Sequence, residues 1–518
     1  MRKFKKWLSI ILAALLCGAV LLTGCDSNKD PDQGSSDGTQ QTTEEPTNGT
    51  AGNNEIPTEQ PTEQPTEQPT EQPEDPNDTV GSVGLEYQVN DDGKTCTITG
   101  IGTCTDTETV IPKKINGYTV TKIGNKAFSD CSQITSITIP NSVTSIEEHV
   151  FYKCANLANV YISDLEAWCK ISFGGYYSNP MYNGAKLYLN NELVTELVFP
   201  DTIKTINDFT FEGCTSLVSV IVGNSTASIG HYAFRNCTQL TNVTISDGVT
   251  SIGNWGFEGC TGLVSVIVPN SVTSIGFGAF RDCSSLESMT LPFVGDTKDE
   301  ANYTYFGYFF EAPSSVYNDD RVPKSLKTVV ITGGTSIGPS AFEGCTQITS
   351  ITIPDSVTSV GKRAFCECVN LTDITLGNGV TSIGEEAFYW CANLTNLTLG
   401  NSVTSIEKEA FSHCDSLVRV TIPNSVISLD SSAFYWCKNL TDITIGNGVI
   451  SIGEMAFAMC ENLQAVYYVG TAEEWNRISI ADFNYGITYA TIYYYSETKP
   501  TTSGNYWRYV DGMPTAWE

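Results

Sequence analysis

The side chains of this sequence that could carry out chemistry are mainly cysteines. The 518 residues include 18 cysteines but only three histidines, His149, His231 and His413. Twelve of the cysteines each follow a phenylalanine by three residues, as Cys391 follows Phe388. Cysteines form disulfides, bind metal ions or act as nucleophiles, so their spacing decides which of these chemistries is available.

The twelve regularly spaced cysteines are predicted to form a buried column. One cysteine per repeat at a constant position places neighbouring sulfur atoms about one strand spacing apart, ~5 Å. Each cysteine would then have two equivalent neighbours, and a disulfide would pull two repeats out of register. We therefore expect free thiols that pack as small apolar side chains, with a chain of disulfides as the alternative in an exported protein. These cysteines are Cys131, Cys154, Cys214, Cys237, Cys260, Cys283, Cys345, Cys368, Cys391, Cys414, Cys437 and Cys460.

The other cysteines and the histidines do not form a catalytic or metal-binding motif. Cys96 and Cys104 flank a short segment and could form a disulfide. Cys366 and Cys368 form a C-x-C pair, which is too little for zinc without further ligands. The histidines fall at three different positions of the repeat, and we expect them to be solvated loop residues. No nucleophile elbow, phosphate-binding loop, zincin motif or calcium loop occurs in the sequence, so we expect no enzyme, no cofactor and no metal site.

The charge of the chain excludes one class of partner. Asp and Glu number 58 against 28 Lys and Arg, which gives a net charge of −30. Nucleic acids and anionic membrane surfaces are bound by basic patches. We therefore expect no nucleic-acid partner.

Residues 1–24 are predicted to be a lipoprotein signal peptide. Basic residues precede an apolar stretch from Trp7 to Leu22, which is short of the ~20 residues that span a bilayer. The stretch ends in Leu22-Thr-Gly-Cys25, which resembles the lipobox of bacterial lipoproteins. That resemblance implies that Cys25 is acylated and that the lipid is the only membrane contact. An ordinary secretory signal and a membrane span are the alternatives.

Residues 25–80 are predicted to be a stalk. Hardly any apolar residue occurs between Asp26 and Val80, and the sequence Pro-Thr-Glu-Gln is repeated four times from Pro57. Such a segment buries too little surface to fold, and its prolines favour extended polyproline II. We interpret it as a spacer between the lipid and a folded head.

The head is a tandem array. Twelve phenylalanines recur every 23 residues, apart from two gaps of 60 and 62 residues. Leu394, Leu397 and Leu399 alternate as on a half-buried strand, and Gly400 ends that strand. The pattern Ala-Phe-x-x-Cys then predicts a short helical or 3₁₀ turn. Because no repeat can bury its own apolar side, the repeats must stack, with their strands in a parallel sheet.

The pattern Leu-x-x-Ile-x-Ile-Pro-x-Ser-Val-x-x-Ile-Gly-x-x-Ala-Phe-x-x-Cys resembles the BspA-like, treponemal-type leucine-rich repeat. The resemblance implies a leucine-rich repeat solenoid with a parallel β-sheet on the concave face, and short helical or 3₁₀ turns and loops on the convex side. We expect a β-rich N-terminal cap over 81–120, repeats over 121–465 with insertions at about 163–192 and 292–325, and an aromatic-rich C-terminal cap over 466–518. The family implies exported, surface-attached proteins, often adhesins for host matrix proteins or glycans, and not an enzyme.

The solvent-facing side of the strands is the predicted ligand-binding surface, because solenoids generally bind ligands on their concave side. Residues on either side of the buried middle residue of each strand form a ribbon of hydroxyl and amide groups. The competing interpretation is that threonine simply suits an exposed strand position. The candidate residues are Ser136, Thr138, Asn242, Thr244, Thr290, Thr352, Asp373, Thr375, Asn396, Thr398, Arg419, Thr421, Asp442 and Thr444.

A second candidate site lies in the insertion at 292–325, where Tyr303 and Tyr305 could stack on sugar rings. Insertions in repeat proteins often lie on the binding face. The expected function is a non-catalytic adhesin or recognition module, lipid-anchored and exposed at the bacterial cell surface, which binds an extracellular protein or polysaccharide. Carbohydrate capture for nutrient uptake, through the aromatic insertions, is the alternative.

Overall fold

The computed structural model describes residues 80–298 and 304–517. They belong to one compact unit, Pro73–Glu518. The predicted signal peptide, the acylation site Cys25, the stalk up to residue 79 and the candidate Tyr303 lie outside the described residues. Within the described ranges, no helix combines the length and the apolar character that are needed to cross a membrane.

Each 23-residue repeat forms one coil of a solenoid, with a long strand, a short strand and a turn between them. In one coil the long strand is Asn396–Thr398 and the short strand is Ser405–Ile406. The long strand pairs in parallel with Asp373–Thr375 of the preceding coil, and the short strand pairs with Ser382–Ile383. These pairings put the same repeat position of successive coils side by side, so each position forms a column along the solenoid.

The long strands form three successive sheets, which confirms the predicted parallel stacking. Only the terminal hairpins of the first and last sheets are antiparallel among the described long strands. The first sheet contains Glu108–Val110, Ser136–Thr138, Asn159–Ile162, Lys186–Leu189 and Glu192–Leu193. The second contains Glu196–Val198, Ser219–Val222, Asn242–Ile245, Ser265–Ile267, Ser288–Leu291, Thr328–Ile331, Ser350–Thr352, Asp373–Thr375 and Asn396–Thr398. The third contains Arg419–Ile422, Asp442–Ile445, Ala465–Tyr468, Thr491–Tyr495, Tyr506–Val510 and Met513–Ala516.

The short strands of the repeats form a second series of sheets, which the sequence analysis did not predict. The first of these sheets also contains the longer strands of residues 86–123, most of which belong to the predicted β-rich N-terminal cap. A pair of residues such as Ser-Ile is too short to show an alternating pattern, although its apolar residue, Ile, Val or Leu, is buried in every complete coil. The N-terminal sheet contains Glu86–Val89, Thr95–Gly100, Lys114–Ile115, Tyr118–Ile123, Ser145–Ile146 and Ser172–Phe173. The next contains Thr205–Ile206, Ser228–Ile229, Ser251–Ile252 and Ser274–Ile275. The last contains Ser336–Ile337, Ser359–Val360, Ser382–Ile383, Ser405–Ile406, Ser428–Leu429, Ser451–Ile452 and Ser479–Ile480.

The segment around each repeat phenylalanine is a hydrogen-bonded turn rather than a helix. The N–H of Phe388 donates to the carbonyl of Ala410 in the next coil at 2.7 Å. The turns therefore join neighbouring coils in the same way as the strands do. The described helices lie in the insertions and the C-terminal region, and they are Leu165–Cys169, Asn318–Arg321, Ala472–Trp475 and Tyr485–Tyr489, with 3₁₀ helices at Phe306–Phe310 and Ser315–Tyr317.

The repeat phenylalanines form the centre of the core, as predicted. All twelve are buried. Phe365 lies between Phe342, at 5.3 Å between ring centroids, and Phe388, at 4.9 Å, with both ring planes nearly parallel to its own. The regular 23-residue spacing thus places one ring above the next along the solenoid.

Nine of the twelve repeat cysteines donate a hydrogen bond to the carbonyl of the phenylalanine in the preceding coil. The thiol of Cys391 donates to the carbonyl of Phe365 in the preceding coil at 3.2 Å, and that of Cys414 donates to Phe388 at 3.3 Å. All 16 described cysteines, including Cys96, are free and buried. The prediction of free thiols is confirmed, because this contact uses the hydrogen that a disulfide would remove.

We expect these thiols to be unreactive in the folded protein. Burial raises the pKa of Cys154 to about 12, and it raises that of Cys260 well above its ordinary value. A protonated thiol is a poor nucleophile. Iodoacetamide should therefore modify few cysteines of the native chain. In urea without reductant it should modify all 16 described cysteines, and mass spectrometry would count the modified residues in both cases. Resistance to alkylation in urea would indicate disulfides and contradict this expectation.

The insertion at 163–192 is a divergent coil. Its strand Lys186–Leu189 pairs in parallel with Asn159–Ile162, and Ser172–Phe173 pairs with Ser145–Ile146. Its Trp168 is buried, and the indole N–H donates to the carbonyl of Thr210 at 3.0 Å. The insertion therefore continues both series of strands.

The insertion at 292–325 changes the turn side of the coil and leaves the pairing of the long strands unchanged. The long strands on either side of it, Ser288–Leu291 and Thr328–Ile331, pair directly with each other. On the turn side, Phe306 stacks on Phe342 at 4.8 Å, and the N–H of Phe280 donates to the carbonyl of Phe309 at 2.9 Å. The insertion thus extends the phenylalanine stack while the long-strand sheet continues past it.

The C-terminal region covers the end of the array with aromatic side chains. Trp507 is buried, and its indole N–H donates to the carbonyl of Tyr468 at 2.8 Å. The Trp507 ring also contacts Tyr467 at 5.5 Å and Tyr495 at 5.2 Å between centroids. These contacts agree with the predicted aromatic-rich cap.

Candidate binding surfaces

The long strands expose one face to solvent, and we call it the long-strand face. In the strand Asp373–Thr375 the middle residue, Ile374, is buried, while both of its neighbours are exposed. Side chains of a strand alternate between its two faces, so the residues on either side of a buried middle residue point to the opposite face, which is exposed in this coil. The same pattern occurs in Arg419–Ile422, where Val420 is buried.

Most of the predicted binding residues are exposed on the long-strand face, but two are not. The exposed ones are Asn242, Thr244, Thr352, Asp373, Thr375, Asn396, Thr398, Arg419 and Thr421, and Thr138, Thr290 and Asp442 are half-buried. The expectation that Ser136 and Thr444 are exposed was wrong, because both are buried. Thr444 lies opposite Tyr467 on the next strand and lines a cavity together with Tyr509 of the C-terminal hairpin. The aromatic cap thus covers the last part of the predicted ribbon.

The C-terminal half of the long-strand face is polar and charged. The amide of Asn396 donates to the carboxylate of Asp373 in the preceding coil, and Arg419 pairs with Asp442 at 3.1 Å. Hydrogen bonds from Thr372 and then from Asn396 lower the pKa of Asp373, so its carboxylate is charged at neutral pH. These groups can accept and donate hydrogen bonds to a ligand.

The N-terminal half of the same face carries exposed apolar and aromatic side chains among polar ones such as Thr244. Val198 and Ile267 are largely exposed at the position that Thr375 occupies in a later coil. Tyr161 and Tyr188 of neighbouring strands stack at 4.8 Å and line a cavity of about 350 Å³. Exposed apolar side chains that share one surface are typical of protein interaction sites.

The aromatic residues of the insertion at 292–325 are mostly part of the core. Tyr305 is buried, and its hydroxyl donates to the carbonyl of Ala312 at 3.0 Å. Phe309 and Phe310 are also buried. The structure therefore places Tyr305 in the packing of the coil rather than on an open surface.

The three histidines lie apart, and only one of them is exposed. His231 is exposed, and its Nδ1 accepts a hydrogen bond from the N–H of Asn254 at 2.8 Å. His149 and His413 are half-buried among aromatic rings, contrary to the expectation of solvated loops, and burial lowers the pKa of His413. Among the described residues, no group of three or more His, Cys, Asp or Glu side chains could hold a metal ion.

Buried charges lie on the turn side of four neighbouring coils. Arg235 contacts Glu212 at 3.3 Å and Glu258 at 2.8 Å, and Arg281 contacts Glu311 at 2.6 Å. Burial raises the pKa of Glu212 to about 7, although Arg235 acts in the opposite direction. Each carboxylate is paired with an arginine of another segment of the chain, which indicates that these charges join coils.

A cluster of aromatic side chains on the turn side was missed by the sequence analysis. Tyr389, Trp390, His413, Tyr435 and Trp436 lie in three successive coils. Alignment of the repeats would have shown the signal, since Tyr-Trp precedes the repeat cysteine in two of these coils.

Comparison with known proteins identifies the repeat. The model of the BspA type leucine-rich repeat region matches the chain in six copies, over residues 104–178, 184–305, 335–464 and 381–493. A leucine-rich repeat protein from Bacteroides ovatus is 24% identical, over 80% of this chain and 99% of that protein, with a TM-score of 0.49. A leucine-rich cell surface protein from Faecalibacterium prausnitzii is 24% identical, over 77% and 97%, with a TM-score of 0.32. The pneumococcal vaccine antigen PcpA is 19% identical, over 81% and 93%, with a TM-score of 0.29. No curated protein sequence matches the chain significantly.

Proposed function

We propose, from the premise that this chain belongs to the family of BspA type leucine-rich repeat proteins, that it is a non-catalytic recognition protein of the bacterial cell surface. Proteins with leucine-rich repeats are typically binding modules and generally bind protein ligands. The predicted signal peptide, acylated Cys25 and stalk support display of the solenoid away from the membrane. An extracellular protein is the ligand that the long-strand face fits best.

One observation carries the proposal, namely the continuity of the long-strand face. Nine parallel strands from Glu196–Val198 to Asn396–Thr398 form one sheet, which at the usual strand spacing extends over about 40 Å. Its exposed side chains include apolar ones, at Val198 and Ile267, and polar ones, at Thr244 and Asp373. A protein surface offers both apolar and polar groups over such a distance, with the apolar part supplying most of the binding energy.

The burial of Tyr305 gives no support to a sugar site that uses this side chain. Carbohydrate capture through the insertion therefore remains the weaker of the two functions. The candidate side chains of the long-strand face, such as Thr375 and Arg419, are exposed and therefore accessible to a ligand.

Replacing Ile267 with glutamate is expected to weaken ligand binding at least tenfold. The purified full chain would first be screened against arrays of extracellular matrix proteins, cell-surface proteins and glycans, and affinities would be measured by surface plasmon resonance. Ile267 is 64% exposed, so the change should affect an interface without disturbing the core. A tenfold loss of affinity corresponds to about 1.4 kcal/mol. An unpaired charge that is buried in a protein interface costs about 2–5 kcal/mol, which is more than this loss.

The matched control is Ile450→Glu. Ile450 is 63% exposed but lies just before the short strand Ser451–Ile452, away from the long-strand face. Its replacement should leave the affinity unchanged. Equal affinities of the two variants and the parent chain, or the absence of any ligand in the arrays, would contradict the proposed function.

A further inference from the structure

The series of paired long strands is interrupted between two regular coils. Asn396–Thr398 ends the second long-strand sheet and Arg419–Ile422 begins the third, and these two described strands are not paired with each other. Asn396 and Arg419 are one period of 23 residues apart, so no insertion separates the two coils. We call the opening between these two strands the strand gap.

Main-chain hydrogen bonds that join the other coils are missing across the strand gap. In the preceding pair of coils, the N–H of Leu376 donates to the carbonyl of Thr398 at 3.1 Å. The equivalent bond one repeat later, from Leu399 to Thr421, does not form between these described residues. Groups two residues apart on a strand point to the same edge, so the N–H and C=O of Leu397 also face the strand gap.

The two coils remain joined on their other sides. Their short strands, Ser405–Ile406 and Ser428–Leu429, pair in parallel. On the turn side, the thiol of Cys414 donates to the carbonyl of Phe388 at 3.3 Å. The strand gap is therefore a cleft that opens toward the long-strand face.

Part of the apolar core is accessible through the strand gap. Leu397 and Leu399 are half-buried, whereas Ile374 and Leu376, at the same positions of the preceding coil, are each 2% exposed. A cavity of about 600 Å³ is lined by the two leucines and by Tyr509 of the C-terminal hairpin. Sites for ligands usually have volumes of roughly 300–1,000 Å³, so this cavity is large enough to hold one.

The unpaired main chain and the accessible leucines together indicate the kind of ligand. An unpaired strand edge is a template for another extended chain, whose N–H and C=O groups recur at the same spacing. A polysaccharide could bond to the edge at Leu397, but it would place hydroxyl groups against the leucine side chains. An extended peptide presents its main chain to the edge and every second side chain to the leucines.

The charges at the strand gap favour a segment without charged side chains. All residues that line the cavity are uncharged, Thr421 and Asn424 among them. Arg419 and Asp442, at the start of the neighbouring strands, pair with each other at 3.1 Å. A charged group in the cavity would lose its hydration without gaining a partner. Complementarity of charge therefore selects an uncharged segment.

We propose that the strand gap binds an extended, uncharged segment of a partner protein, which rests on the proposed function of the long-strand face and names the part of the partner that is held. The main chain of the segment pairs with the N–H and C=O of Leu397 and with the N–H of Leu399. Its inward side chains are apolar and cover the two leucines. The bound segment thus takes the place of a strand in the sheet.

The probe for the first test is a short uncharged peptide, acetyl-Thr-Ile-Thr-Ile-Thr-amide, in which apolar and polar side chains alternate. Isothermal titration of the full chain with this peptide should detect binding. The same peptide, N-methylated at its three central residues, keeps its side chains but loses main-chain donors, and it should bind at least tenfold more weakly. Equal binding of the two peptides, or no binding of the first, would overturn the proposal.

Hydrogen exchange of single amides tests where the peptide binds. In the free chain the N–H of Leu399 should exchange faster than that of Leu376, which donates to Thr398. Addition of the peptide should slow the exchange of Leu397 and Leu399. Unchanged exchange of both leucines in the presence of bound peptide would place the peptide elsewhere and contradict the proposal.

Thr421→Trp is designed to block the strand gap, because Thr421 is exposed and lines the cavity. This variant should bind the peptide at least tenfold more weakly, with an unchanged circular dichroism spectrum. The matched control is Ile427→Trp, since Ile427 is 50% exposed in the same coil but lies just before the short strand Ser428–Leu429. Its replacement should leave peptide binding unchanged, and equal binding by Thr421→Trp and the parent chain would overturn the proposal.

Two comparisons identify other occupants and separate this site from the proposed function. A parent chain that sediments as a dimer, with Thr421→Trp a monomer, would assign the strand gap to a second copy of the chain and overturn the proposal. A protein ligand whose affinity falls with Ile267→Glu but not with Thr421→Trp would support the long-strand face and exclude the strand gap. Binding of the peptide without any ligand in the arrays would support the strand gap and contradict the proposed function.

Discussion

Replacing Phe365 with alanine is expected to lower the free energy of unfolding by about 3–5 kcal/mol, the range for large aromatic deletions in a core. The Phe365 ring is fully buried and contacts two further rings at 5.3 and 4.9 Å. A cavity at this point interrupts the phenylalanine stack in the second of the six repeats that follow the gap of 62 residues. Since each coil of a solenoid is stabilised by its neighbours, the loss affects the coils on both sides. Urea denaturation followed by far-ultraviolet circular dichroism would measure this loss in the free energy of unfolding.

The control for this change is Thr375→Ala in the same coil. Thr375 is exposed on the long-strand face, and replacements of exposed residues usually change stability by less than about 0.5 kcal/mol. Similar midpoints of urea denaturation for Phe365→Ala and the parent chain would show that the stacked rings are not the centre of the core.

The features that could be predicted from the sequence are those that recur in every coil. Phe365 and Cys391 stand at fixed positions of a 23-residue period, and a fixed period can only be accommodated by stacking equivalent coils. The buried rings, the free thiols and the parallel long strands all follow from that constraint. The exposed positions of the long-strand face, such as Thr375, follow from the alternation of side chains along a strand.

The features that could not be predicted depend on contacts between unlike segments. The sequence of the insertion at 163–192 does not match the repeat, yet its strand Lys186–Leu189 continues the sheet. Thr444 has the same local sequence as Thr375, but the cap residue Tyr509, distant in sequence, lines the cavity beside it. The two-residue short strands carry too little pattern to distinguish a strand from a loop. The aromatic cluster on the turn side is a different case, because Trp390 and Trp436 lie two repeats apart and an alignment of the repeats shows them; only their contact through His413 of the coil between them required the structure.

Replacing Arg235 with methionine is expected to lower the free energy of unfolding by about 3 kcal/mol at pH 8, because removal of one partner leaves buried charges uncompensated. Arg235 lies 3.3 Å from Glu212 and 2.8 Å from Glu258, whose side chains are only 6% and 8% exposed. The pKa of Glu212 is already raised by burial to about 7 in the folded protein. A carboxyl group with a raised pKa stabilises the fold at low pH, and this contribution is lost as the pH rises through the folded-state pKa.

The pH dependence of the Arg235→Met variant therefore distinguishes lost charge from lost packing. At pH 5 the two carboxyl groups can bind protons in the folded state, so the loss of stability should be clearly smaller than at pH 8. Urea denaturation at both pH values measures the difference in unfolding free energy between the variant and the parent chain. The control is Lys362→Met, which removes a 2.6 Å pair with Glu385 whose partners are 53% and 33% exposed, and which should cost less than about 1 kcal/mol at either pH. Equal losses for Arg235→Met at pH 5 and pH 8 would mean that the arginine acts through packing alone, and a loss no larger than that of Lys362→Met would mean that the buried charges do not join the coils.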